Sequence, residues 1–177
     1  EGKQGYGQAK GIWQTVYLES RGAVALKHIH FTPDIDRGTV KVQAYLDQPA
    51  PEDLYVNLLF PNGELSGIHT SPKIEKKTEQ LSYEISIPNV QLWDLDNPYL
   101  YELEVQLHNN QLIYDECSSY FGMRKISIMD LPGSGFPYVA LNNRPLYLQM
   151  SLDQAYHPDG YYTYPSDEFM RDEIIRS

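Results

Sequence analysis

Apolar and polar residues alternate with a period of two through most of this chain. Val40, Val42, Ala44 and Leu46 alternate with Lys41, Gln43 and Tyr45. Leu54, Val56, Leu58 and Phe60 repeat the pattern, followed by Leu81, Tyr83, Ile85 and Ile87. Tyr101, Leu103, Val105 and Leu107 alternate with Glu102, Glu104 and Gln106. A period of two sends the apolar side chains to one face of a sheet. The pattern predicts strands over residues 12–19, 24–32, 39–47, 53–60, 65–70, 79–87, 99–108, 111–121 and 123–129. Asn62-Gly63 marks a hairpin, because both residues tolerate the positive φ of a type I′ turn. Asn109-Asn110 and Asn142-Asn143 are weaker forms of the same signal. Prolines punctuate the strands, since proline donates nothing to a ladder.

Residues 21–130 thus carry a run of short strands at turn spacings of roughly 8–12 residues, which predicts an immunoglobulin-like antiparallel β-sandwich. Tyr99 and Tyr101 open a late strand, where a tyrosine hydroxyl can bond back to the preceding loop. The texture changes after Asp130. LPGSG has the composition of a linker, and a hairpin around Asn142-Asn143 follows. Ser166 then stands as a helix cap before Asp167 and Glu168, with Met170 and Ile174 on one face. A helix of about ten residues is marginal alone in water. Gly11–Leu18 reads as one strand without a nearby partner. Both ends therefore read as pieces of neighbouring domains.

Composition narrows the functional classes. The chain has 177 residues, 41% hydrophobic and 21% charged, which suits a packed core. Its 15 tyrosines against 5 phenylalanines favour half-buried strand surfaces and contacts between domains. A formal net charge of −10 argues against nucleic acid and against an anionic membrane surface. No apolar run reaches the length of a membrane span. The stretch EGKQGYGQAKG lacks the apolar core of a signal peptide and leaves the compartment open. Cys117, the single cysteine, rules out an intramolecular disulfide. It reads as a half-buried strand residue beside Asp115 and Glu116 rather than a catalytic thiol.

Candidate chemistry is sparse. His28-x-His30 places two imidazoles on one strand face, but no third ligand follows at metal spacing, so sheet-face histidines are expected. Asp34-x-Asp36 before Gly38 reads as a turn rather than a calcium loop. Trp93, beside Asp94-Leu95 and Pro98, reads as a loop anchor. The stretch from Leu141 to Gly160 runs from an apolar Leu146-Tyr147-Leu148 into Asp153, Gln154 and His157. A carboxylate accepts and an amide both donates and accepts, so these groups suit sugar hydroxyls. They equally suit a strand-end turn. Tyr161, Tyr162 and Tyr164 follow, fit for packing or for stacking on sugars. No residue set calls for a metal or cofactor.

Four patches, in order, resemble family 2 glycoside hydrolases, which include β-galactosidases, β-glucuronidases and β-mannosidases. GIWQTVYLE at 11–19 resembles the closing strand of that family's sugar-binding jelly-roll domain. LWDLDNPYLYELEVQL at 92–107 and YFGMRKISI at 120–128 resemble late signatures of its immunoglobulin-like domain. LNNRPLYLQM at 141–150 resembles the hairpin entering its catalytic (β/α)8 barrel. The resemblance implies three parts: residues 1–20 from the sugar-binding domain, 21–130 the sandwich, and 131–177 the first hairpin, strand and helix of the barrel. It implies a parent enzyme that cleaves terminal β-linked sugars with two glutamates outside this chain. Asp153, Gln154 and His157 would then lie beside the sugar pocket. Aligned on His157-Pro158, however, Met150 stands where the family motif has glycine, Asp153 where it has arginine and Gln154 where it has its first histidine. This looks like a subgroup reading Leu-Asp-Gln. A stand-alone glycan- or protein-binding sandwich, and a purely structural linker domain, remain the other readings.

Overall fold

The alternating segments pair into antiparallel ladders in the computed structural model, which describes residues 10–12, 14–150, 152, 157 and 159–176. Its strands are β1 (Leu26–Asp34), β2 (Thr39–Leu46), β3 (Tyr55–Phe60), β4 (Gly67–Thr70) and β5 (Gln80–Ser86). They continue with β6 (Tyr101–His108), β7 (Ile113–Phe121), β8 (Ile126–Asp130), β9 (Pro137–Leu141) and β10 (Arg144–Pro145). Among the described residues one helix, α1 (Asp167–Arg176), lies near the carboxyl end. The chain divides into two units, Ser20–Tyr147 and the combination of Glu1–Glu19 with Leu148–Ser177.

The larger unit is an antiparallel sandwich with a small third sheet. One sheet has the order β1-β2-β5 and the facing sheet the order β4-β3-β6-β7. Their facing sides close over Val40, Val42 and Ala44 from β2, Val56 and Leu58 from β3, and Leu103, Val105 and Leu107 from β6. These are the apolar members of the alternating runs. Leu54, Ile74 and Met123, from the flanking segments, are fully buried in the same core. Each large aliphatic side chain removed from water here is worth about 1.5–3 kcal/mol. At one edge Phe31 of β1 stacks on Phe121 of β7, with ring centroids 5.1 Å apart. Phe121 also lies parallel to Tyr101 at 5.0 Å. The Tyr101 hydroxyl accepts a hydrogen bond from the Gln91 amide at 2.8 Å, so the loop before β6 is tied to the start of that strand. The third sheet, β10-β9-β8, follows directly from the sandwich.

Several expectations change. Residues 14–20 form no strand, and Val16, Tyr17 and Leu18 are exposed. A strand persists only with a ladder partner, and no described residue supplies one there. The barrel strand expected around Leu146–Leu148 is likewise absent among the described residues, as a parallel strand needs neighbours on both sides. The strand at 123–129 begins only at Ile126, because Met123 is drawn into the core and bridges Leu92. The Asn62-Gly63 signal does not give a two-residue hairpin. Gly63 alone takes positive φ, 80°, and Ser66 donates to its carbonyl within a longer connection to β4. The tight turn lies instead at Asn142-Asn143, with φ of 50° and 64°, joining β9 to β10. Cys117 is exposed rather than half-buried. Partial desolvation on the sheet surface, reinforced by the charges of Asp115 and Glu116, pushes its thiol pKa up.

The assignment of sheet faces is testable by equilibrium urea denaturation. Leu58→Ala, in the core, is expected to cost about 2–5 kcal/mol. Ile68→Ala, on the outer face and 63% exposed, should stay within roughly 0.5 kcal/mol of the parent chain. Equal losses at both positions would overturn the assignment.

Candidate functional site

The residues expected near a sugar pocket fall in the smaller unit. Asp153 and Gln154 lie outside the described residues. The backbone of His157 exchanges two hydrogen bonds with Tyr161, at 2.9 and 2.8 Å. Its Nδ1 accepts from the amides of Asp159, at 3.0 Å, and Gly160, at 3.3 Å. A nitrogen that accepts carries no proton, so the neutral ring holds its proton on Nε2. The ring meets Phe169 of α1 edge-on, with centroids 4.5 Å apart. His157 therefore organises a turn and packs it on the helix. Gly160 is required in that turn, since a Cβ there would lie 1.8 Å from the Thr163 carbonyl oxygen. Tyr164 packs near Phe169 at 6.1 Å, whereas Tyr161 and Tyr162 are half exposed. The helix starts as its sequence predicts. Ser166 accepts from the Phe169 amide at 3.2 Å. The Glu168 carboxyl is held below its ordinary range by its own backbone amide and then by the Ser166 hydroxyl.

A second cluster lies wholly within the larger unit, where the sandwich meets the β8-β9-β10 sheet. It is built from the loop before β6, the segment between β7 and β8, and the β9–β10 turn. The loop folds first on itself. Asp94 accepts from the amides of Asp96 and Asn97 at 3.0 and 2.7 Å, an Asx turn that brings Pro98 back to bridge Trp93. The Trp93 amide donates to the Met123 carbonyl at 2.9 Å. Gly122 lets the indole approach, as a Cβ there would stand 3.3 Å from Trp93 Cβ. The Arg124 guanidinium lies over the Trp93 ring, 4.7 Å from its centroid, in a cation–π contact.

Asn142 fastens this loop to the small sheet. Its amide nitrogen Nδ2 donates to the Trp93 carbonyl at 2.9 Å, and its Oδ1 accepts from the Lys125 amide at 3.0 Å. Its backbone amide donates to the Lys125 carbonyl at 2.8 Å. Next to it, Asn143 donates to Asp36 at 2.7 Å, and Lys125 pairs with the other oxygen of Asp36 at 2.5 Å. Those contacts hold the Asp36 carboxyl below its ordinary value, the Lys125 bond foremost and the Asn143 bond next. Asp34 meanwhile closes the β1–β2 turn by accepting from the Asp36 and Arg37 amides. Asp34-x-Asp36 is thus one turn and one tether.

Sequence reasoning located Trp93 as an anchor and Asn142-Asn143 as a turn, but missed that they touch. The signal for Asn142 was the Asn-Asn dipeptide, because asparagine takes a left-handed φ cheaply and its side chain is then free to bond elsewhere. Asp36 was legible only as part of a turn; nothing in the sequence marked its meeting with Asn143, 107 residues away. His28, of the His-x-His pair, stacks on Tyr45 with centroids 4.2 Å apart. Among the described residues no group of three or more His, Cys, Asp or Glu is placed to hold a metal.

This cluster generates two tests. Asn142→Ala loses both side-chain bonds and strains a positive φ, at an expected cost of about 2 kcal/mol. Asn142→Gly keeps the φ and should cost less; the reverse order in denaturant melts would contradict the assignment. For Asp36 the folded-state pKa is lowered from 3.8. Its stabilisation is therefore complete above that ordinary value and is lost as pH falls through the lowered one. Thermal melts of Asp36→Asn against the parent chain should differ at neutral pH and converge in strong acid. A gap that persists in acid would show the tether is not electrostatic.

The sequence model of glycosyl hydrolases family 2 matches residues 24–124. A β-galactosidase of Leuconostoc mesenteroides is 28% identical over 150 residues, which is 80% of this chain and 14% of that protein. Among solved structures, a GH2 β-galacturonidase from Eisenbergiella tayi aligns over 88% of this chain and 27% of its own, at a TM-score of 0.65 and 20% identity. A β-glucuronidase of Ruminococcus gnavus aligns over 81% and 22%, at a TM-score of 0.54 and 20% identity. At that identity the structures speak for the fold alone. The chain spans a small part of each of these relatives.

Proposed function

The chain belongs to glycosyl hydrolases family 2, whose sequence model matches more than half of it, and from that premise we propose that it is the middle region of a retaining β-glycosidase. In this reading residues 1–20 close a sugar-binding jelly-roll domain, 21–130 form an immunoglobulin-like sandwich, and 131–177 open the catalytic barrel. The sandwich is a spacer that holds the sugar-binding domain against the barrel. The observation that carries the reading is the convergence of three motif segments on one joint. Trp93, Lys125 and Asn142 come from the three late patches that resemble the family, and they are bonded to one another. A spacer domain needs such a joint where the chain leaves it.

Retaining glycosidases use two carboxyl groups about 5–5.5 Å apart, one as nucleophile and one as acid/base. No acid of this chain matches the family's motif for either. Glu168 and Glu173 lie on the exposed surface of α1, so the chain alone is proposed to be inactive. In the parent protein, Asp153, Gln154 and His157 lie near the substrate. His157 serves through its turn, whose bonds to Asp159, Gly160 and Tyr161 hold it in place. The substrate is a terminal β-linked glycoside, with a galactoside favoured by the β-galactosidase relative. A self-contained binding module is the competing reading, favoured by the exposed outer sheet face, but it gives the terminal segments no role.

The test uses the full-length parent and this chain side by side on chromogenic β-galactosides, β-glucuronides, β-galacturonides and β-mannosides. The parent is expected to hydrolyse at least one with retained anomeric configuration, and the chain none. Turnover by the chain alone, or inversion by the parent, would refute the proposal.

A further inference from the structure

Two irregularities of the backbone converge on one hollow beside the β1-β2-β5 sheet. The first is in β1. Leu26 pairs with Leu46 and His28 with Tyr45, so Lys27 is an extra residue with no partner on β2. A bulge of this kind bends its strand and re-aims a side chain. The backbone just before it is held, Ala25 donating to the Asp47 carboxylate at 2.8 Å and the Asp47 amide to the Ala25 carbonyl at 3.0 Å. The second irregularity is in the turn before β5. Thr78 donates to the Glu75 carbonyl through its amide at 3.1 Å and its hydroxyl at 2.6 Å, and Lys77 inside that turn takes a φ of 72°. Glycine is the residue such a position favours, because a side chain is crowded there. The turn is also tied down. The Lys77 amide donates to the Ala50 carbonyl at 2.9 Å, and the Ala50 amide to the Thr78 carbonyl at 2.8 Å.

Both irregular residues line a hollow of about 670 Å³, together with His28, Tyr45, Thr78 and Glu79. Among the described residues neither lysine ammonium makes a hydrogen bond or ion pair. The His28 ring stacks on Tyr45 with centroids 4.2 Å apart, which fixes the plane in which its nitrogens bond. Two cations thus face one carboxylate, on a chain whose formal net charge is −10.

We propose that this hollow binds a phosphate group, with Lys27 and Lys77 as its charge partners and His28 as a further donor. A phosphate presents acceptor oxygens in several directions, whereas a carboxylate presents two in one plane. Donors supplied by a strand and by a separate turn suit the first. A lysine ammonium serves a phosphate as a point charge and needs no planar match. A bulge with a lysine also blunts a strand edge against other chains, and β1 is an edge of its sheet. That role accounts for Lys27 alone. Lys77 lies in no ladder, and it holds a backbone state better suited to glycine. The site rests on these residues and not on the family reading.

The test is an amide NMR titration of the 177-residue chain with inorganic phosphate, glycerol phosphate and acetate, each against sodium chloride of equal ionic strength. Exposed, solvated charges predict a Kd on the order of 1–10 mM. Shifts from phosphate should cluster at Lys27, His28, Lys77 and Thr78, and binding should weaken between about 50 and 500 mM salt. Lys77→Gly should weaken binding about 3-fold or more yet melt no earlier than the parent chain, since glycine takes the φ without strain. Lys77→Arg should retain binding, and Lys27→Gln should weaken it as Lys77→Gly does. Tighter binding of glycerol phosphate than of inorganic phosphate would uphold the site and mark an ester as its ligand; the reverse would uphold it for the free ion. Shifts no larger than those of the chloride control, acetate binding as tightly as phosphate, or a Lys77→Gly chain that binds unchanged or melts earlier would each overturn the proposal. A parent inactive on glycosides would defeat the family reading and leave this result standing.

Discussion

The apolar layer between the two sheets is the constraint on which everything else in the larger unit depends. No disulfide is available to pin the sheets, so burial in this layer carries most of the hold, supplemented by polar ties such as the Leu26 amide donating to Asp115 at 2.8 Å. Val42, Val56, Leu58, Val105 and Leu107 are fully buried in it, and their alternation leaves each strand only one acceptable register. A slip by one residue would send every one of them to solvent. With the registers set, the rest follows as geometry. Tyr101 stands where its hydroxyl reaches Gln91, Phe31 meets Phe121, and the loop carrying Trp93 is delivered to one edge of the sandwich.

At that edge the burial of apolar surface gives way to hydrogen bonds between distant parts of the chain. Asn142 bonds to both Trp93 and Lys125, and Asp36 bonds to both Lys125 and Asn143. Such bonds contribute modestly to stability, because water competes for each partner. Their value is directional. Hydrophobic contact tolerates sliding and rotation, whereas several polar bonds of fixed geometry hold one orientation. A joint of this kind suits the spacer role proposed for the sandwich.

Where sequence and structure part, the cause is in each case a partner. Residues 12–19 have the composition of a strand, yet those described form none, because β structure needs a second strand beside it. Asn62-Gly63 is a strong local turn signal, yet the connection there is longer and only Gly63 takes positive φ. Asn142-Asn143, locally weaker, makes the tight turn because its side chains find partners outside the hairpin. His157 was legible as a polar residue in a promising stretch. That its ring would accept two amides of its own turn and pack on Phe169 was not.

Alternation by itself determined which residues of strands β2, β3, β5 and β6 face inward, since that needs only a two-residue period and an apolar core. Helix capping by Ser166 and the turn at Asp34 were equally local, each made by a side chain bonding amides within three residues. The ordered motifs were enough to point to the family. Only the tertiary structure decided that those motifs meet at one joint and that Asp36 belongs to it. These depend on side chains brought together from positions tens of residues apart. No local pattern encodes such meetings; they exist only after the core has set the register of every strand.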